Sequence, residues 1–369
     1  MRIKTKRLEE ILFLDVPLFL LGMNYILYNA LSIDSLKTVF RVGAILLLLI
    51  GWGLKGKIVI QKKSFLAIVL AIIALVLNGS MALNFVVIML FTICVTYPID
   101  AIVKSLFKVN VPLVAIMIIL MGLHVVNNTS YVSTMGRLRS TLGFENPNAA
   151  ALFYASAIFL FLVSRDRIKR KDIVISFVMT AIIFYFTNSR TPFLALLMFV
   201  FLEEIFRVLQ KKNMQKTQMT VGKLSVKLVD ALFILNLVSV FIIDLFMPLD
   251  ELLSFRISSF SRMINSSGVR EFLFGGTIKT VDNFYYMLLF QYGIFIYIFV
   301  ATSTHFAMKK MVARGDIKYI SLFVGLFSIG MMESSLIRPE ILVTLAMWKI
   351  IFSGNKGSLT ENSIAAPQI

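Results

Sequence analysis

The chain has one cysteine, two histidines and 20 acidic residues against 37 basic ones in 369 positions. A lone Cys94 excludes an intramolecular disulfide and leaves no cysteine set for a metal. His124 and His305 are the only imidazoles, and they sit at the ends of apolar runs, where His124 reads as a satisfied helical residue and His305 as a bystander. Only 15% of residues are charged, well below what a soluble chain of this length carries. The net charge of +17 is not arranged as a basic stripe interleaved with stacking aromatics, so nucleic acid is not an expected partner. No cleavable signal peptide is evident, because the first apolar segment contains Asp15 and is followed by further apolar segments.

What is present is apolar: 58% of residues are hydrophobic and the mean hydropathy is +0.86. About twelve stretches approach the ~20 residues that cross a bilayer. They centre near 11–31, 38–54, 64–79, 81–97, 110–126, 148–164, 173–188, 191–207, 228–247, 284–303, 318–336 and 340–352. The expected fold is an all-α polytopic membrane protein, a single domain over residues 1–352. Its larger loops fall at 127–147 and 248–283, with a solvated linker at 208–227 and a polar, disordered tail at 353–369. No internal repeat is visible.

Loop charge orients the array. With the basic N-terminus inside, both termini are cytoplasmic and the inward segments hold most of the positive charge. The split by residue type is sharper: 20 Lys and 7 Arg fall inward, 2 Lys and 8 Arg outward. Lysine sets the topology, which leaves the outward arginines to be explained. They are Arg41, Arg137, Arg139, Arg190, Arg256, Arg262, Arg270 and Arg338. Arginine grips phosphate with a planar fork of donors where lysine offers a mobile point charge. An anionic, diphosphate-bearing substrate is one reading; snorkelling to headgroups or pairing with nearby acids is the other.

Four outward constellations carry chemical potential. Arg137 and Arg139 precede Asn146-Pro147-Asn148, which predicts an extended residue before proline and a helix cap at Asn148, so that a helix N-terminus lies beside two guanidinium groups. Ser189-Arg190-Thr191-Pro192 forms a minimal turn, with Ser189 or Thr191 as cap and Arg190 held on a short connection. The loop 248–283 bears Arg256, Arg262 and Arg270. If it is helical, the first two lie on different faces; it ends in Asp282-Asn283-Phe284-Tyr285, where Asp282 is a base, a cap or an ion-pair partner. Glu333, close to Arg338, is either a functional acid or the partner of Arg338 or Arg190.

Arg137-Leu138-Arg139 with Gly143-Phe144, Asn146-Pro147-Asn148, Asn188-Ser189-Arg190, and Asp282-Asn283-Phe284-Tyr285 with Gly293 resembles, in order and spacing, the O-antigen polymerase and O-antigen ligase superfamily. The resemblance spans about residues 130–300. It implies a GT-C-type glycosyltransferase that joins undecaprenyl-diphosphate-linked oligosaccharides into O-antigen or capsular polysaccharide at the outer face of the bacterial cytoplasmic (inner) membrane. The implied partners are the lipid-linked donor and acceptor, membrane lipids, a chain-length regulator and a flippase. Asp282, Arg190 and Glu333 are then the expected catalytic residues. Arg137, Arg139, Asn146, Asn148, Ser189, Arg256, Arg262, Arg270, Asn283, Tyr285 and Arg338 are expected to bind diphosphate and glycan. No cofactor or metal is expected, because the arginines supply the positive charge and carboxylates in the outward loops are few. The related ligases carry a histidine at the position resembling Asp282, which favours a polymerase here. A ligase-type transferase and a polysaccharide flippase or secondary transporter remain the alternatives.

Overall fold

The computed structural model describes residues 8–33, 35–54, 62–132, 136, 138–251, 255–276 and 282–352. Arg137 and the expected tail at 353–369 lie outside these residues. The protein is about 82% helical, an all-α architecture. Among the described residues, five helices are long and apolar enough to cross a membrane: Leu8–Asn29, Ser35–Leu54, Ile99–Gly122, Pro147–Ser164 and Gln215–Leu249.

In chain order the helices are α1 (Leu8–Asn29), α2 (Ser35–Leu54), α3 (Lys62–Asn78), α4 (Leu83–Cys94), α5 (Ile99–Gly122), α6 (Pro147–Ser164), α7 (Arg170–Thr187) and α8 (Arg190–Lys211). They continue as α9 (Gln215–Ile242), α10 (Arg256–Ser266), α11 (Val269–Phe274), α12 (Phe284–Tyr292), α13 (Ile294–Arg314), α14 (Ile317–Gly330) and α15 (Leu342–Phe352). Every residue of α12 and α15 is buried, as expected of helices that are apolar all round. Other helices surround them and turn apolar side chains outward, among them Val76, Tyr185 and Phe241. Such a surface suits lipid and not water.

Three boundaries differ from the sequence reading, each for a local reason. Helix α5 starts at Ile99, within the expected loop before residue 110. Ile102, Val103, Leu106 and Val109 recur with helical spacing and are buried, while Lys104 and Lys108 turn out to Asp166 and Asp15. The expected linker at 208–227 is helical up to Lys211 and again from Gln215 onward, where no proline interrupts the chain and Gly222, Ser225 and Val226 are buried on one face. The chain reverses around Asn213, which takes a left-handed φ of 52°. The expected span 284–303 is divided at Gly293, whose φ is +90°. A Cβ there would lie 2.5 Å from the carbonyl oxygen of Leu273, so glycine permits both the break and the close approach of α11.

Candidate functional site

The loop 127–147 folds back as a two-stranded antiparallel hairpin, β1 (Ser130–Val132) and β2 (Leu138–Ser140), with Tyr131 opposite Arg139. The hairpin lays Arg139 against the end of α7. Its Nε donates to the Thr187 carbonyl at 2.9 Å, where the negative end of the α7 dipole favours a cation. Its Nη2 donates to Asn148 Oδ1 at 2.7 Å, which also accepts from Ser189 Oγ at 3.1 Å. Arg139, Asn148 and Ser189, drawn from three separate motifs, therefore meet on one amide oxygen.

The cap of α6 is Asn146, not Asn148. Pro147 restricts Asn146 to extended backbone (φ −145°, ψ 152°), which is the geometry of an N-cap, and Asn146 Oδ1 accepts from Ala149 N at 2.8 Å. That frees the Asn148 side chain for Arg139. Replacing Asn146 by alanine is expected to cost about 1 kcal/mol of stability, read as a lowered melting temperature in detergent. An unchanged melting temperature would show that the cap is dispensable.

A cavity of about 190 Å³ opens where the ends of α1, α6 and α12 meet the break between α14 and α15. Arg139, Asn146, Asn148, Asp282, Glu333 and Arg338 line it, together with Tyr25, Asn29, Tyr131, Ser334 and Ser335. Sequence reasoning missed the last five. Of these, Tyr25 and Asn29 stand four residues apart at the end of an apolar run, on one helix face, and that spacing was the available signal.

The charged groups in the cavity differ in how they are held. Glu333 is buried and pairs with Arg256 (Oε1 to Nη2 3.2 Å), not with Arg338 or Arg190. Arg256 also donates to the Met332 carbonyl. Burial pushes the Glu333 carboxyl up to about 7; Arg256 opposes the rise and the Asp282 carboxylate adds to it. A raised carboxyl pKa means the folded state holds the proton more tightly, so this contribution to stability is complete below the ordinary value of 4.5 and is lost as pH rises to about 7. Glu333→Gln is expected to flatten that part of the curve of melting temperature against pH. A curve parallel to that of the unaltered protein would overturn this.

Arg338 is half-buried, and its guanidinium has no hydrogen bond or ion pair among the described residues. Asp282 is exposed and likewise has no partner among them. It does not cap α12: that role falls to Asn283, whose Oδ1 accepts from Tyr286 N at 2.9 Å. Among the described residues, the cavity thus offers one unengaged cation and one unengaged carboxylate.

Several expected contacts are placed elsewhere. Asn283 is buried, and its Nδ2 donates to Asn236 Oδ1 and to the Met331 carbonyl, so it ties α12 to α9 and α14 and does not face the cavity. Tyr285 is wholly enclosed, its hydroxyl donating to the Phe327 carbonyl at 2.8 Å, because the face of α12 that carries it turns to α14. Arg190 is the first residue of α8; it is exposed and absent from the cavity wall, while Ser189 beside it points to Asn148. Arg262 lies on the exposed face of α10 and Arg270 on exposed α11, and neither lines the cavity. His124 is exposed just past α5 and also lies outside it. His305 pairs with Asp230 at 2.8 Å.

Comparison with protein-family models, with curated proteins and with solved structures finds no match to this chain.

Proposed function

We propose that this protein is a membrane glycosyltransferase that polymerises polyprenyl-diphosphate-linked oligosaccharides, working at the outer face of the bacterial cytoplasmic membrane. The observation that carries the reading is the unengaged pair, Arg338 and Asp282, facing one cavity. In the proposed step, an acceptor sugar hydroxyl attacks the anomeric carbon of the donor. The bond from that carbon to the diphosphate oxygen breaks, and its electron pair leaves with the lipid diphosphate. Asp282 takes the hydroxyl proton, while Arg338 faces the developing negative charge. Arg139, anchored by Thr187 and Asn148, adds fixed positive potential beside it. The polar lining comes from helix ends and interhelix breaks, which favours a transferase over a carrier with a mid-helix cavity.

The experiment is to incubate purified protein with a lipid-diphosphate-linked repeat unit and resolve the products by size. A ladder is expected, as is its loss by about 10²- to 10⁴-fold in Asp282→Asn. A full ladder from Asp282→Asn would remove this carboxylate as the base. No ladder from the unaltered protein would reject the polymerase.

A further inference from the structure

A second cavity, of about 370 Å³, lies against the first and shares Tyr25, Asn29, Ser334 and Arg338 with it. Its remaining wall comes from α1, α2, α4 and α12 and from the break between α14 and α15, and none of these residues figures in the motifs discussed above apart from Arg41. We infer that this cavity binds the glycan of the second lipid-linked substrate, so that donor and acceptor occupy adjoining pockets that meet at Arg338. The inference rests on the transferase reading and adds to it a place for the second sugar chain.

The lining sets four carboxamides beside three cations, Lys37, Arg41 and Arg338, and one carboxylate, Glu340. Asn24, Asn29, Asn84 and Gln291 face it, with Arg41 and Glu340 as a part-buried ion pair. Asn24 Nδ2 donates to Glu340 Oε1 at 3.2 Å, alongside Arg41 Nε at 2.6 Å. The other end of that amide is unsatisfied: Asn24 is 1% exposed, and its Oδ1 accepts no hydrogen bond. Sugars present hydroxyls that both donate and accept, which is what amides offer in return. Tyr28 completes the wall with a partly exposed aromatic ring covered on one face by Lys37 at 3.7 Å. The volume falls within the range of about 300 to 1,000 Å³ typical of small-ligand sites.

The junction explains why two pockets are needed. A glycosyl transfer between two lipid-linked chains brings a nucleophilic hydroxyl and an anomeric carbon to one point, and a single 190 Å³ space does not hold both glycans. Arg338 is on the wall of both cavities.

The test uses Thr38→Trp, which fills the rim of the larger cavity from an exposed position on α2, and Arg262→Gln, an exposed position on α10 that lines neither cavity, as a control. The probe is the free single-repeat oligosaccharide, without lipid or diphosphate, released from the surface polysaccharide of the source organism. Its binding to full-length protein in nanodiscs is followed by saturation-transfer NMR. The unaltered protein and Arg262→Gln are expected to bind it equally, and Thr38→Trp at least tenfold more weakly. Equal binding by Thr38→Trp, or no binding by the unaltered protein, overturns the inference. If phosphatidylglycerol co-purifies with the unaltered protein, is lost in Thr38→Trp and is not displaced by the oligosaccharide, the cavity belongs to a bilayer headgroup and the inference also falls. A product ladder from the unaltered protein accompanied by any of these failures leaves the polymerase standing; absence of the ladder rejects the polymerase whatever the sugar does.

Discussion

If the proposed polymerase reading holds, Arg338→Ala is expected to lower the rate of polymer formation by about 10²- to 10³-fold, the size of effect seen when one charge-stabilising donor is removed from a reacting centre. The magnitude follows from where the charge sits. Opposite charges 4 Å apart interact by about 4 kcal/mol at an effective dielectric near 20, equivalent to about three decades in rate. The half-buried guanidinium has no partner among the described residues, so little of the fold depends on it. The melting temperature of the variant is therefore expected to stay within a degree or so of the unaltered protein, since substitutions that break no contact usually shift stability by under about 0.5 kcal/mol. Arg338→Lys is expected to restore part of the rate, because an ammonium keeps the charge and loses the fork. A full ladder from Arg338→Ala would remove Arg338 from the diphosphate site. A loss of activity matched by a collapse in melting temperature would assign it a structural role.

Arg256→Ala has the opposite signature, a large loss of stability. It leaves Glu333 buried without its cation, and breaking a buried pair from one side costs about 3 to 5 kcal/mol. Glu333 has an escape, since a proton neutralises it, and burial already raises its carboxyl to about 7. The penalty is therefore expected to be larger at pH 8 than at pH 6. Adding Glu333→Gln to Arg256→Ala is expected to recover most of the lost melting temperature, because no buried charge is then left alone. Equal losses at the two pH values, or a double variant no better than the single one, would show that Arg256 supports the fold through its contact with the Met332 carbonyl.

The helices were legible because a bilayer demands long apolar runs, and each run left its mark on composition. Where a run was amphipathic and not plainly apolar, as in 99–109 and 215–227, hydropathy alone misplaced the boundary. The site was legible in part. Arg139, Asn146, Asn148, Asp282, Glu333 and Arg338 stand out as polar groups flanking apolar runs, and they do line one cavity. Their partners were not legible. Arg256 and Glu333 are 77 positions apart, and nothing in either neighbourhood selects the other over Arg338. Asn283 and Tyr285 belong to the same short motif as Asp282, yet they turn inward while Asp282 stays exposed, a choice set by the packing of α12 against α9 and α14. Adjacency in a motif does not distinguish a residue that touches a ligand from one that holds its neighbour in place.

The segment that runs from α10 to Gly276 is fixed at both ends. Arg256 ties its start to the break after α14, and at its far end Gly276 N donates to the Phe290 carbonyl at 2.9 Å, where Gly275 and Gly293 let two backbones touch. A piece of chain secured twice does not swing as a flap. On the proposed reading, a glycan held at the break after α14 would meet a fixed neighbour there and not a moving lid.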